Sequence, residues 1–147
     1  MKKLLIALLV LLSAPLLHAQ NFGKLIDQFK DEKGVTVVNV SPDQMPKEVT
    51  GLFKESTVNS IVVMNAEECS DKVIKKLDKT IRNIKLKDGY ATLVKTSEDD
   101  EYVHIINKVE NGKISELVVL NIDGDEVNVV WLKGENLSMD NLGNLSL

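Results

Sequence analysis

The sequence has 147 residues, a net charge of −4, one cysteine and only 4% aromatic residues. A chain that is acidic overall and has few, scattered aromatic residues is a poor candidate for nucleic-acid binding, so we expect no nucleic-acid partner. The single cysteine cannot form an intrachain disulfide, and a chain of this length can bury a hydrophobic core without one.

The first 19 residues are typical of a secretory signal peptide. Two lysines follow the initial methionine, a leucine-rich run extends from 4 to 17, and a short polar exit ends at Ala19. The run is shorter than the about 20 apolar residues of a transmembrane helix, and Pro15 would break a helix near its end. We therefore predict cleavage after Ala19, export to the periplasm or the extracellular space, and no membrane span.

Removal of residues 1–19 leaves residues 20–147, a length that fits a single domain. The removed segment contains two lysines and no acidic residue, so the net charge falls from −4 to −6. No linker or low-complexity segment interrupts the remaining range, and we predict one domain.

Helical and strand patterns alternate in the first half of this domain. Four apolar residues at the i, i+3, i+4 and i+7 spacing predict a helix over 22–33. The β-branched run 35–40 predicts a strand. A capping pattern predicts a second helix that starts at Ser41 or at Pro46, and 60–65 predicts a second strand.

A third helix is predicted over 70–86. Its aliphatic residues cluster on one side of the helical wheel, and its basic residues lie on the other side. The aliphatic residues are Val73, Ile74, Leu77, Ile81 and Ile84. Because this side must be buried, we expect the helix to pack on the sheet that follows.

From Asp88 onward the hydrophobic period changes to that of strands. Four strands are predicted, at 90–96, 101–109, 113–122 and 126–133. The Asn-Gly and Asp-Gly pairs at 111–112 and 123–124 favour tight type I′ hairpin turns. An antiparallel meander is the expected result, with 113–122 in the interior of the sheet because it is apolar on both faces.

These elements predict an α+β fold with two layers. Helices would pack on one face of a mostly antiparallel sheet of about six strands that ends in the four-strand meander. The opposite face also needs cover, which the leucine-rich end of the chain or a second subunit in a homodimer could supply. Trp131 is a candidate contact on that face.

Few residues are candidates for catalysis or metal binding. His104 is the one histidine of residues 20–147, and neither it nor Cys69 belongs to a zinc-binding or nucleophile motif. The acidic run 97–101 and the Asp-Gly pair at 123–124 are interpreted as solvated turns, not as a catalytic carboxylate pair or a calcium loop. We expect no metal and no cofactor. A hydrolase that uses scattered carboxylates or a Cys69–His104 pair is the alternative.

A basic stripe on the third predicted helix is the strongest candidate for a binding site. Residues 71–87 contain seven basic and two acidic side chains, a net charge of +5. Five of the basic residues follow one side of the helix, opposite the aliphatic side. They are Lys72, Lys75, Lys76, Lys79 and Arg82. Such a surface could attract an anionic partner, and an ordinary solvated helix surface is the alternative.

Three parts of the sequence carry a resemblance to a family, namely "FGKLIDQFKDEKGVTVVNVSP", "NGKISELVVLNIDGD" and the leucine-rich end. They resemble the domain-of-unknown-function family 4252 of small exported Bacteroidetes proteins. The resemblance spans most of residues 20–147. It implies an exported α+β domain with no established activity and no catalytic residues to transfer. Some members look like lipoproteins with an acylated cysteine after the signal peptide. This sequence has Gln20 there, so the resemblance does not imply a lipid anchor for it.

The sequence therefore favours an exported, non-catalytic envelope protein that acts as a binding or interaction module through the basic helix face. Its expected partner is an unidentified protein or an anionic component of the envelope.

Overall fold

The computed structural model describes residues 22–44 and 57–137, apart from the side chains of Pro42 and Thr57. In chain order the elements are α1 (Phe22–Phe29), β1 (Val35–Val40), a 3-10 turn (Pro42–Gln44), β2 (Thr57–Ala66), α2 (Asp71–Arg82), β3 (Tyr90–Ser97), β4 (Glu101–Glu110), β5 (Lys113–Asp123) and β6 (Glu126–Leu137). The second helix of the sequence prediction falls largely on 45–56, outside these residues.

The strands form one six-stranded sheet in the order β1-β2-β6-β5-β4-β3, and every neighbouring pair is antiparallel. Strands β3 to β6 are neighbours in chain order, as the predicted meander requires. β5 lies between β4 and β6, and its residues 117–120 are buried, which confirms its interior position. The α+β fold and the antiparallel sheet are therefore as predicted.

The turn between β5 and β6 differs in detail from its prediction. Asp123 pairs with Glu126, so the two turn residues are Gly124 and Asp125. Gly124 has a φ of 60°, whereas Asp125 is not among the residues with positive φ. This pattern is that of a type II′ turn, in which glycine is favoured at the first of the two central positions.

Both described helices pack on the same face of the sheet and share one core with it. The apolar side of α1 supplies Phe22, Leu25, Ile26 and Phe29, and α2 supplies Leu77 and Ile81. Alternate residues of β2, β4, β5 and β6 complete this core, since successive side chains of a strand point to opposite faces. Burial of each large aliphatic side chain contributes about 1.5–3 kcal/mol before conformational entropy is subtracted.

The two helices are shorter than predicted. α1 ends at Phe29 because residues 30–33 are all exposed and have no apolar side chain to bury. α2 ends at Arg82, and residues 84–87 are not helical. Ile84 still packs against the core, but it does so from this non-helical segment. Neither α1 nor α2 is long and apolar enough to cross a membrane.

The opposite face of the sheet has its own small cluster, in which Val58, Leu117, Leu132 and Leu137 are buried. Trp131 does not lie there. Its side chain belongs to the helix side, where its ring centroid is 6.2 Å from that of Phe22. The predicted role of Trp131 on the opposite face is therefore wrong, because strand alternation places its neighbours there instead. The leucine-rich end from 138 onward lies outside the described residues, so the cover of this face stays a prediction.

Candidate functional site: the basic face of helix α2

Hydrogen bonds from neighbouring residues cap both ends of α2. The Ser70 hydroxyl accepts a hydrogen bond from the backbone N–H of Val73 at 3.3 Å. The backbone N–H and the side-chain amide of Asn83 both donate to the carbonyl oxygen of Lys79, at 3.2 and 2.7 Å. Helix ends leave such backbone groups without partners in the helix, so these contacts define where α2 begins and ends.

The two sides of α2 differ as the sequence predicts. Leu77 and Ile81 are fully buried beneath the helix, and Val73 and Ile74 are half-buried against the same core. Lysine side chains on the outer side are exposed. We define the basic face as Lys72, Lys75, Lys76 and Lys79.

Within residues 22–44 and 57–137, no ion pair neutralises the charges of the basic face. Among the residues that the structure describes, none of its four lysines forms a salt bridge. Lys76 makes a weaker contact, with its Nζ 5.9 Å from the centroid of the Phe29 ring on α1. A cation over an aromatic ring at this distance is attracted but keeps its charge exposed to a partner.

Arg82, the fifth residue of the predicted stripe, is engaged within the protein. Its side chain is 25% exposed and pairs with Asp78, one turn earlier. Its guanidinium donates hydrogen bonds to Ser97 Oγ at 3.0 Å and to the carbonyl oxygens of Glu98 and Asp99 at 3.1 and 3.4 Å. Arg82 therefore ties the last turn of α2 to the turn between β3 and β4, and it is not part of the basic face.

A buried polar chain lies beneath Arg82. The guanidinium carbon is 5.0 Å from the centroid of the Tyr102 ring, and the Tyr102 hydroxyl is 3.2 Å from Nδ1 of His104. Thr92 Oγ1 is 2.7 Å from Nε2 of His104. Burial, and secondly the charge of Lys95, lower the pKa of His104. Both ring nitrogens have partners inside the protein, which is typical of a structural histidine.

The structure does not bring Cys69 and His104 together. Cys69 follows β2, whereas His104 lies on β4, and two strands separate β2 from β4. Three strand spacings correspond to about 14 Å. The Cys69 thiol is 3.8 Å from the carbonyl oxygen of Glu67, and burial followed by the charge of Glu32 raises its pKa. A raised pKa disfavours the thiolate that a nucleophile needs.

The acidic residues predicted to form solvated turns lie at one end of the sheet. The backbone N–H of Gly124 donates to the carbonyl oxygen of Asp100 at 2.8 Å, so the β3–β4 and β5–β6 turns are adjacent. Their carboxylates are all exposed, namely those of Glu98, Asp99, Asp100, Glu101, Asp123, Asp125 and Glu126. Within residues 22–44 and 57–137, no three His, Cys, Asp or Glu side chains form a group that could hold a metal ion.

One polar cluster on the helix side of the sheet was not predicted. The Glu116 carboxylate accepts hydrogen bonds from the Tyr90 hydroxyl at 2.8 Å and from Trp131 Nε1 at 2.9 Å. Lys108 Nζ lies 3.7 Å from the same carboxylate. Burial, and secondly the bond to Glu116, raise the pKa of Tyr90. The three partners of Glu116 come from three different strands, so no local sequence pattern signals the cluster.

A row of amide side chains crosses the other face of the sheet and was also missed. Asn65 pairs with Asn128, which pairs with Asn121, on three successive strands. The side-chain oxygen of Asn65 is buried and has no hydrogen-bond partner among the described residues. The pair Asn121–Asn128 could have been found from the sequence, since the two residues are equidistant from the β5–β6 turn.

The comparisons with known proteins give a family and no function. The model of the family described as "Domain of unknown function (DUF4252)" matches residues 29–145, and the chain belongs to this family. No curated protein and no solved structure matches the chain. The resemblance noted in the sequence is thus confirmed.

Proposed function

We propose that the protein is an exported, non-catalytic module that binds an anionic component of the cell envelope through the basic face of α2. The observation that carries this proposal is the contrast within one helix. Four exposed lysines have no ion pair among the described residues, although the same helix uses its fifth basic residue, Arg82, for internal contacts. Charges left unpaired on a well-anchored helix are available to a partner.

The electrostatics of the whole chain support the same proposal. Residues 71–87 carry a net charge of +5 in a chain whose total is −4. A local patch of one sign on a molecule of the opposite sign orients the molecule and raises the rate of encounter with an oppositely charged partner. Export rests on the signal-peptide pattern of residues 1–19.

The test compares two variants with the same net charge. Lys75→Glu/Lys76→Glu/Lys79→Glu reverses the basic face, and Lys24→Glu/Lys33→Glu/Lys113→Glu reverses three exposed lysines outside α2. Binding to polygalacturonate and to phosphatidylglycerol vesicles is measured at about 20 and 200 mM salt, where the screening length differs about threefold.

Wild type and the Lys24/Lys33/Lys113 variant should bind at least one of the two probes, more weakly at the higher salt concentration. The Lys75/Lys76/Lys79 variant should lose at least about tenfold in affinity, which corresponds to 1.4 kcal/mol. Equal losses in both variants, or no binding of the wild type to either probe, would contradict the proposal.

A further inference from the structure

The exposed lysines continue beyond the end of α2. In the segment 84–87, Ile84 and Leu86 are half-buried against the core, whereas Lys85 and Lys87 are exposed. The alternation places both lysines on the outer side of the segment, which leads from α2 to β3. We define the basic track as the basic face together with Lys85 and Lys87.

The basic track is extended along the chain. The basic face extends over eight residues of helix, from Lys72 to Lys79, which is about 10 Å at the helical rise per residue. Residues 82–87 extend the track by at most about 16 Å, the length of this segment if it is fully extended. A ligand that contacts all six lysines must therefore be considerably longer than a single anionic group.

Exposed carboxylates border the basic track. Glu67, Glu68 and Asp71 lie at the amino-terminal end of α2. At its carboxyl-terminal end, the carbonyl groups that bind Arg82 hold the acidic β3–β4 turn beside the helix. A flat anionic surface laid over the track would approach these carboxylates as well as the lysines. A single polymer chain can follow the lysines and avoid most of the repulsion.

The track also lacks the apolar groups that a membrane or a protein partner would use. The exposed large hydrophobic residues of the described chain are Val38, Leu93, Val94 and Val109, and none of them lies in 71–87. The apolar side of α2 is buried in the core, so it cannot enter a lipid interface. Protein interfaces usually have an apolar centre, which the track does not offer.

We infer that the ligand of the basic track is a linear acidic polysaccharide with a carboxylate on successive sugar units. This inference rests on the proposed function and specifies its ligand class. Lysine ammonium groups act as separate point charges and do not require the bidentate geometry that arginine provides, so they suit a flexible row of single charges. The chain would contact Lys72 to Lys79 first and then Lys85 and Lys87.

The experiment measures binding of wild type to a length series of oligogalacturonates, from the dimer to the polymer, with neutral dextran and phosphatidylglycerol vesicles as comparisons. Affinity should rise with chain length and then level off. The variant Lys85→Ser/Lys87→Ser should lose about tenfold with the polymer, or 1.4 kcal/mol, and little with the dimer. The matched control Lys24→Ser/Lys113→Ser should bind every length as wild type does.

The outcomes separate this inference from the proposed function. Vesicle binding as tight as polymer binding, at equal concentration of negative charge, would overturn the inference that the ligand is a polysaccharide. It would leave the proposed function intact. Affinity that does not depend on chain length, or that is unchanged in the Lys85/Lys87 variant, would overturn the extended track. Absence of binding to polymer and vesicles alike would overturn both.

Discussion

Arg82, the last residue of α2, and the four lysines that precede it are all basic, but their surroundings differ. Arg82 contacts a carboxylate, a hydroxyl, two carbonyl groups and an aromatic ring. The four lysines of the basic face contact solvent and, in the case of Lys76, one ring. Helical spacing therefore predicts which side of a helix a residue lies on, but not whether its charge is already paired within the protein.

The chemistry of the two side chains explains the difference. A guanidinium group is planar and presents five N–H donors in a fixed fork, so one arginine can join several acceptors around a turn. An ammonium group is a compact, strongly hydrated charge on a flexible stem, and little is gained by fixing it. Arg82 is thus suited to hold the fold together, whereas the exposed lysines are suited to the proposed contact with a partner.

Stability should be most sensitive to substitution on the buried side of α2. Leu77 is fully buried, so Leu77→Ala should leave a cavity and lower the free energy of unfolding by about 2–5 kcal/mol. Lys76→Ala, one residue away on the outer side, should change it by less than about 1 kcal/mol. Urea denaturation of both variants measures the difference, and similar losses would contradict the proposed orientation of α2.

A smaller effect is expected for the engaged charge. Arg82→Ala should lower the free energy of unfolding by about 2 kcal/mol, since hydrogen bonds from a charged group are lost. Arg82→Lys keeps the charge but not the planar set of N–H donors, so most of the loss in the free energy of unfolding should remain. Chemical denaturation is the measurement, with Lys79→Ala as the control. Full rescue by lysine would show that charge alone matters at this position.

The polar chain beneath Arg82 makes stability depend on pH. Because the pKa of His104 is lower in the folded protein than in the unfolded chain, the unfolded chain takes up the proton first as pH falls. The contribution is complete above the unfolded pKa of about 6.5 and declines below it. Thermal unfolding at several pH values should show this decline, and His104→Gln should reduce it. A steeper decline in the variant would show that His104 does not cause the loss of stability at low pH.

The smallest effect on stability is expected for the basic face itself. Single substitutions of Lys72, Lys75 or Lys79 by serine should change the free energy of unfolding by less than about 0.5 kcal/mol, because exposed surface charges contribute little to stability. The same substitutions should weaken binding to polygalacturonate. A lysine whose replacement destabilises the fold as much as Arg82→Ala would not belong to the basic face.

Much of the fold could be predicted because local patterns determine it. Alternation in strands, the amphipathic patterns of α1 and α2 and the Asn-Gly turn all lie within short windows of sequence, and the structure has them. The pairing of Arg82 with Asp78 could have been found from their spacing on one helix. Its other acceptors are 15 to 17 residues away and are brought close only by the turn between β3 and β4. The side of the sheet on which Trp131 lies depends on strand register, which the sequence pattern left open.

We expect the ammonium groups of the basic face to be available to an anionic polymer, whereas the guanidinium of Arg82 is held within the protein. Nuclear magnetic resonance of the lysine Nζ and arginine Nε signals during titration with polygalacturonate tests this expectation directly. The signals of Lys72, Lys75, Lys76 and Lys79 should shift with added polymer while that of Arg82 Nε stays in place. Unchanged lysine signals, or an Arg82 signal that shifts as much as theirs, would contradict it.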